Sequence, residues 1–217
     1  MRFLLYLPVL LFSVVVHEVA HALVAKWEGD DTAHRLGRIT LNPIPHLDLM
    51  GSVLVPLALY LLPGSFLFGW AKPVPVDPRN YRNFKWGDIK VSLAGIAANL
   101  ILAFLCTVLL GIMVKVGVLL GSTSGPVLVL QEMVSFGIVI NLVLAVFNLI
   151  PLPPLDGSHV AYHLLPPQLG ARYQRLGRYG LGIVMMVVFF FPQVFDLLFW
   201  PVDFLLSAAE HFVGLWI

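Results

Sequence analysis

The sequence predicts an all-α polytopic membrane protein with four full transmembrane helices and a further, proline-broken hydrophobic segment. Of its 217 residues, 59% are hydrophobic and only 12% are charged, and the mean hydropathy is +0.90. Soluble domains are about half apolar and about one quarter charged. The 13 basic and 12 acidic residues nearly cancel, so no charge excess points to a nucleic-acid partner. The composition therefore excludes a soluble globular domain.

Four apolar stretches are long enough to cross about 30 Å of hydrocarbon, which takes about 20 helical residues. In chain order they are Phe3 to Lys26, Val91 to Lys115, Pro126 to Ile150 and Leu181 to Leu206. A further stretch, Gly51 to Trp70, has the length but contains Pro56 and the pair Pro63-Gly64. Because a helix interior tolerates neither cheaply, we expect this stretch to be either a re-entrant segment or an interrupted fifth span.

The polar stretches between these spans are short. The longest has only about 24 residues, too few for an independent domain. The one cysteine, Cys106, excludes a disulfide framework and a cysteine-based zinc site. We therefore predict a single membrane-embedded domain over residues 1–217. Its core comprises about residues 1–160, and residues 161–217 provide an amphipathic segment and the last span.

The first span contains the motif His17-Glu18-Val19-Ala20-His21. At 100° per residue, the two histidines lie about 40° apart and one turn apart, so both imidazoles can reach one zinc ion. Glu18 lies beside them, where it can take a proton from a water on that ion. Ionisable residues at membrane depth cost on the order of a few kcal/mol and indicate a functional site. The pattern therefore predicts a catalytic zinc site.

Such a site normally has three protein ligands and one open position, so a third ligand is needed. Asp156 is the best candidate, because it follows the third clear span in Pro151-Leu152-Pro153-Pro154-Leu155-Asp156-Gly157. The prolines cannot continue a helix and Gly157 permits a turn, so the chain must unwind and present the carboxylate. Asn148, just before this break, either contacts substrate or satisfies a carbonyl of its own helix.

Other polar residues offer alternatives. His159 and His163 repeat the i, i+4 spacing and form a rival ligand pair, although the polar face of an interfacial helix explains them better. His34 and His46 in the first polar loop are further candidate ligands. The alternating apolar residues of Gly37 to Pro43 suggest a short β-strand near the site, which could pair with an extended substrate. A structured loop is the other interpretation.

Together these motifs resemble the site-2 proteases, peptidase family M50, which are zinc metalloproteases that cleave membrane-spanning helices of other proteins. The resemblance covers residues 1 to about 160. It rests on His17-Glu18-x-x-His21, Asn148 to Gly157, Phe68 to Val76 and Ala94 to Asn99. Ala97 stands where the family's Ala-Gly-Pro segment has proline, a departure that does not touch the metal site.

The resemblance implies roles for five residues. His17, His21 and Asp156 would bind one zinc ion per chain, Glu18 would be the catalytic base, and Asn148 would contact substrate. The substrate would be a transmembrane protein. With no PDZ or CBS domain, the chain looks like a minimal, bacterial-type member, expected in the inner membrane in contact with lipid. The sequence does not indicate the substrate's identity, the trigger for cleavage or the oligomeric state.

A zinc transporter or metal-sensing membrane protein is the alternative from another class. Transport would need polar residues through both halves of the bundle, yet the outer half offers little beyond Glu132, Ser135 and Asn141.

Charge counting predicts the topology, because short cytoplasmic loops collect Lys and Arg. A full crossing by Gly51 to Trp70 would place nine of the 13 basic residues on one side. A re-entrant segment places eleven there and leaves only Arg2 and Lys115 on the other. It also brings the Lys26 end of the first span and Asp156 to the same side. We therefore expect outside N- and C-termini and a site on the cytoplasmic side.

Overall fold

A computed structural model describes residues 2–55, 71–120, 125–190 and 192–216. Most of these residues are helical. The helices are α1 (Arg2–Glu28), α2 (Thr32–Arg35), α3 (Phe84–Leu120), α4 (Gly125–Leu149), α5 (Gly157–Leu164), α6 (Pro167–Arg175), α7 (Gly180–Phe190) and α8 (Pro192–Gly214). Short 3-10 turns lie at Ile44–His46, Pro78–Asn80 and Leu176–Tyr179, and a π-helical stretch lies at Leu49–Leu54.

Four helical stretches are long and apolar enough to cross a membrane: Leu5–Glu28, Phe84–Leu119, Gly125–Leu149 and Leu197–Gly214. The expectation of a helical membrane protein with four candidate spans is thus confirmed. The fifth hydrophobic segment, from Gly51 to Trp70, lies mostly outside the described residues, which stop at Val55 and resume at Ala71.

Contacts at the helix ends fix the direction of the central helices. The Tyr6 hydroxyl donates to Glu132 Oε1 at 2.7 Å and joins the start of α1 to the start of α4. At the other end of α1, Glu28 accepts from the Arg82 amide at 2.7 Å and pairs with Lys90 at 2.8 Å. Helices α1 and α4 therefore run in one direction and α3 in the opposite one. Residues 29–83 begin and end at the same end of the bundle.

Helix α8 completes an apolar core with α3 and α4. The buried residues they share are Ala103, Ile138, Leu142 and Val202. Near the C-terminal end of α3, a Cβ on Gly111 would lie 3.1 Å from the Trp216 ring. The small residue lets the indole approach the helix closely, as expected where packing rather than the hydrophobic effect holds helices together. Helix α8 therefore ends far from the junction of α1 with α3.

The short β-strand expected at Gly37 to Pro43 is wrong, since no strand occurs in the part of the chain that the structure describes. Within this loop, two backbone amides donate hydrogen bonds to nearby side chains. The Asn42 amide donates to Thr40 Oγ1 at 3.2 Å, and the Ile44 amide donates to Asn42 Oδ1 at 3.1 Å. Local bonds of this kind compete with a strand ladder.

The expected last span, Leu181 to Leu206, includes position 191, which lies outside the described residues. On either side of that position the structure describes helix α7 up to Phe190 and helix α8 from Pro192. Among the described residues of this region, the stretch that is long and apolar enough to cross a membrane is Leu197–Gly214.

Candidate metal centre

The two histidines of α1 face α3 in the buried interior. His17 Nε2 and His21 Nε2 lie 3.0 Å apart, and both side chains are buried. The rings lie against the α3 backbone at Gly95, where an added Cβ would stand 2.5 Å from His17 Cε1 and from His21 Nε2. Only a residue without a side chain leaves room for both imidazoles at this position.

Asp156 reaches the same point from the break after α4. Its Oδ2 lies 3.2 Å from His17 Nε2 and 3.3 Å from His21 Nε2. The chain turns so tightly here that a Cβ on Gly157 would overlap the Leu149 carbonyl oxygen. Proline and glycine together thus end α4 and place the carboxylate against α1.

The three donor atoms form a triangle with edges of 3.0, 3.2 and 3.3 Å. Tetrahedral zinc with ligands at about 2.0–2.2 Å separates its ligand atoms by about 3.3 Å. Among the described residues, this is the one group of three His, Cys, Asp or Glu side chains whose donor atoms lie within 4.8 Å of one another. The triangle therefore has the size that a zinc ion requires.

Hydrogen bonds on the far side of each ring decide which atoms face the centre. His17 Nδ1 lies 2.6 Å from Asn99 Oδ1, and His21 Nδ1 lies 2.6 Å from the Val91 carbonyl oxygen. Both oxygens can only accept, so both Nδ1 atoms carry hydrogen and both Nε2 atoms present lone pairs. Asp156 Oδ2 is buried without a hydrogen-bond partner. Three converging lone pairs repel one another unless a cation shares them, so the residues fit a bound metal ion.

Glu18 is held from the loop that precedes α3. Its Oε2 accepts a hydrogen bond from the Val74 amide at 2.7 Å. Val74 lies between Pro73 and Pro75, which have no amide hydrogen, so it supplies the single backbone donor of this tripeptide. Glu18 is only partly buried. One of its carboxylate oxygens is thereby fixed by a backbone amide.

Buried Arg38 anchors the loop that provides this donor. Its Nη2 donates to the carbonyl oxygens of Lys72 at 2.9 Å and Pro73 at 3.3 Å. The Lys72 amide in turn donates to the His46 carbonyl at 2.9 Å. Sequence reasoning missed these contacts, and also missed the role of Gly95 beside the histidines. The available signal for Gly95 was its place in the segment Ala94 to Asn99, one of the segments on which the family resemblance rests.

Asn148 donates its amide to the Leu144 carbonyl of its own helix at 3.0 Å. This contact matches the helix-end interpretation and leaves the expected substrate contact without a direct test. Of the first-loop histidines, His46 is buried and places Nε2 3.0 Å from the Thr40 carbonyl oxygen, whereas His34 is exposed. Within the described residues, neither joins the donor triangle.

His159 and His163, the rival ligand pair, contact Asp88 instead. His159 Nδ1 lies 3.2 Å from the Asp88 carboxylate and His163 Nε2 lies 2.7 Å from it. The hydrogen bond to Asp88 raises the pKa of the His159 imidazole, and burial opposes this only in part. These contacts therefore hold α5, the helix that begins directly after Asp156, against the first turns of α3.

Fold and site together define the class: a helical membrane protein with two histidines and an aspartate disposed around one metal position. The family model "Peptidase family M50" matches residues 116–191. The chain is 41% identical to YwhC of Bacillus subtilis, which is named as a candidate zinc metalloprotease, over 92% of this chain and 90% of that protein. No solved structure matches.

Similarly named proteins occur in mycobacteria. Rip2 of Mycolicibacterium smegmatis is 30% identical over 99% of this chain and 81% of that protein. Rip2 of Mycobacterium tuberculosis is 30% identical over 93% of this chain and 73% of that protein. The chain belongs to peptidase family M50, the site-2 protease family, which confirms the resemblance seen in its motifs. It is therefore a membrane metalloprotease, and the names of its relatives indicate zinc as the metal.

Proposed function

We propose that the chain is an intramembrane zinc metalloprotease that hydrolyses peptide bonds in or near transmembrane segments of other membrane proteins. The observation that carries this proposal is the donor triangle of His17, His21 and Asp156, with edges of 3.0–3.3 Å. The triangle lies within the helical bundle, beside Glu18. One zinc ion per chain is the stoichiometry that a single triangle supports.

The proposed mechanism assigns the proton transfer to Glu18. Zinc, when bound, supplies Lewis acidity that lowers the pKa of water and polarises a carbonyl. Glu18 follows His17 directly in α1, and the Val74 amide holds its Oε2 at 2.7 Å. From this position the carboxylate takes a proton from the attacking water and delivers it to the leaving amine nitrogen.

A transmembrane substrate must unwind before it can be cut, since its carbonyl groups are engaged in backbone hydrogen bonds. Two non-helical segments border the site: residues 71–77, which carry Val74, and residues 150–156, which carry Asp156. Irregular backbone at membrane depth is tolerated where it lines a cavity or is buried in protein. We propose that the unwound substrate lies between these segments, within reach of Asn148.

We further propose that the site faces the cytoplasm of a bacterial cell, across the inner membrane. Because residues 29–83 begin and end at the same end of the bundle, an even number of crossings between them is favoured, in support of a re-entrant 51–70 segment. That end also carries eleven of the 13 basic residues under this topology, as expected for a cytoplasmic face.

Zinc analysis of purified full-length protein tests the proposal. We expect about one zinc per chain in the wild type and less in Asp156→Ala, because removal of one ligand weakens the site. Asp203→Ala, which removes an exposed carboxylate on α8, is the matched control and should keep its zinc. Equal zinc in wild type and Asp156→Ala, or none in wild type purified without chelators, would overturn the proposal.

A further inference from the structure

A relay of buried polar side chains, each hydrogen-bonded to the next, crosses the bundle and ends at the metal centre. It joins three helices: Ser13 of α1, Asn141 of α4, Asn99 of α3 and His17 of α1. All four are buried, and Asn99 is 0% exposed. An unpaired polar group in an apolar interior costs free energy. Each donor in this relay must therefore meet an acceptor, and this constrains the direction of every hydrogen bond in it.

The direction is set first at Asn141. One atom of its amide lies 2.8 Å from the Gly137 carbonyl oxygen, which can only accept, so that atom is the nitrogen. The same nitrogen lies 2.9 Å from Ser13 Oγ, and Ser13 itself donates to the Val9 carbonyl at 2.9 Å. Ser13 therefore accepts from Asn141. Asn141 Oδ1 is left to face Asn99.

The orientation of Asn99 follows from that of Asn141. Asn141 Oδ1 accepts from Asn99 Nδ2 at 2.7 Å, which turns Asn99 Oδ1 toward His17 Nδ1 at 2.6 Å. That oxygen can only accept, so His17 carries its hydrogen on Nδ1. His17 Nε2 then keeps the lone pair that points into the donor triangle. His21 needs no such relay, because its Nδ1 faces the backbone carbonyl of Val91.

We propose that Asn141 is a positioning residue for the metal ligand His17, acting through the side-chain amide of Asn99. The inference rests on the proposed zinc site and adds to it a residue on α4 that does not touch the metal. Asn141 holds the Asn99 amide in one orientation, and that orientation selects the ligating tautomer of His17.

Without the Asn141 side chain, the Asn99 amide should no longer be held in the orientation that selects the ligating tautomer of His17. Asn99 Nδ2 would keep only the Ser13 carbonyl, at 3.4 Å, as an acceptor. The amide could then turn over and donate to His17 Nδ1, which favours the tautomer with hydrogen on Nε2. That tautomer cannot bind the metal through Nε2. Loss of a residue that orients a metal ligand typically lowers metal affinity about 10–100-fold.

The experiment is chelator competition for zinc with the full chain in detergent. Asn141→Leu keeps the side-chain shape and removes the amide, and we expect it to bind zinc about 10–100-fold more weakly than wild type. Asn141→Ala, which adds no bulk, should show a similar loss. Thr107→Val is the control, because Thr107 is a buried polar residue of α3 that donates only to its own helix at Ala103.

A second substitution distinguishes loss of the Asn99 amide orientation from a packing defect at position 141. In the Asn141→Leu background, Asn99→Asp should recover most of the zinc affinity, because either carboxylate oxygen can accept from His17 Nδ1. A packing defect at Asn141 would not be repaired in this way, since the substitution adds a buried charge. Recovery in the double variant is therefore specific to the relay.

The outcomes distinguish this inference from the proposed function. If wild type binds zinc tightly and Asn141→Leu has the same zinc affinity as Thr107→Val, the proposed role of Asn141 is wrong, while the proposed zinc site stands. A double variant that binds zinc no better than Asn141→Leu would lead to the same conclusion. Wild type that binds zinc no better than Asp156→Ala would overturn the proposed site, and the relay with it.

Discussion

At the scale of single residues, the metal centre depends on Gly95, a position without a side chain. Both imidazoles of α1 occupy the space that a Cβ at this position would need. We expect Gly95→Ala to displace the rings and reduce zinc content well below one per chain, measured by elemental analysis. Gly182→Ala, where a new Cβ meets nothing within 4 Å, is the control and should keep its zinc. Full zinc content in Gly95→Ala would contradict the packing described for the two rings.

A second residue-scale prediction concerns Glu18. Glu18→Gln keeps an oxygen that can accept from the Val74 amide, so the side chain should stay in place while losing its ability to take a proton. We expect zinc content to be retained and peptide hydrolysis to fall by about 10²–10⁴-fold. A fluorogenic transmembrane substrate in micelles measures this loss. Activity close to that of wild type would exclude Glu18 as the base.

At the scale of elements, helix α5 contacts α3 through Asp88, whose carboxylate lies within hydrogen-bond distance of His159 and His163. Asp156 directly precedes the first residue of α5. Asp88→Ala removes the common acceptor of His159 and His163. We expect α5 to loosen and zinc to dissociate faster, because the third ligand loses its support. The zinc release rate into excess chelator measures this effect. An unchanged release rate would show that α5 does not position Asp156.

The same contact predicts a pH dependence of stability. Because the pKa of His159 is raised above 6.5 in the folded chain, its contribution is fully present below the unfolded pKa and is lost as pH rises through the folded one. The unfolding temperature of wild type should therefore exceed that of His159→Gln more at about pH 5.5 than at about pH 8.5. His34→Gln, at an exposed histidine, is the control. A larger difference at high pH would contradict the assignment.

The elements that sequence predicts well are those whose signal is local. The apolar runs of α1, α3 and α4, the one-turn spacing of His17 and His21, and the proline break before Asp156 all follow from neighbouring residues. Asn99 and Asn141 lie 42 positions apart, and their pairing depends on how α3 packs against α4. The loop at Gly37 was misread because hydrogen bonds from Thr40 and Asn42 replace the expected strand pairing.

At the scale of the whole molecule, the helix directions predict which loops share a side. In a background without Cys106, we expect Arg35→Cys and Arg82→Cys to react with a membrane-impermeant reagent only from the cytoplasmic side. Lys115→Cys should react only from outside. All three positions are exposed. Labelling of position 35 from outside would overturn the proposed topology, whereas labelling of 35 and 82 from the same side is required by the bonds between Glu28 and Arg82.

The third donor also has a consequence for how the protein is made. His21 Nε2 and Asp156 Oδ2 are 3.3 Å apart in space, but the two residues lie 135 positions apart in the sequence. During synthesis, a nascent chain that has inserted α1 and α3 already contains both histidines and the glutamate, yet it has no carboxylate to close the triangle. Only after α4 has entered the bilayer does Asp156 arrive. A half-made copy therefore lacks the third metal ligand, and the metal centre can be completed only after Asp156 has been synthesised.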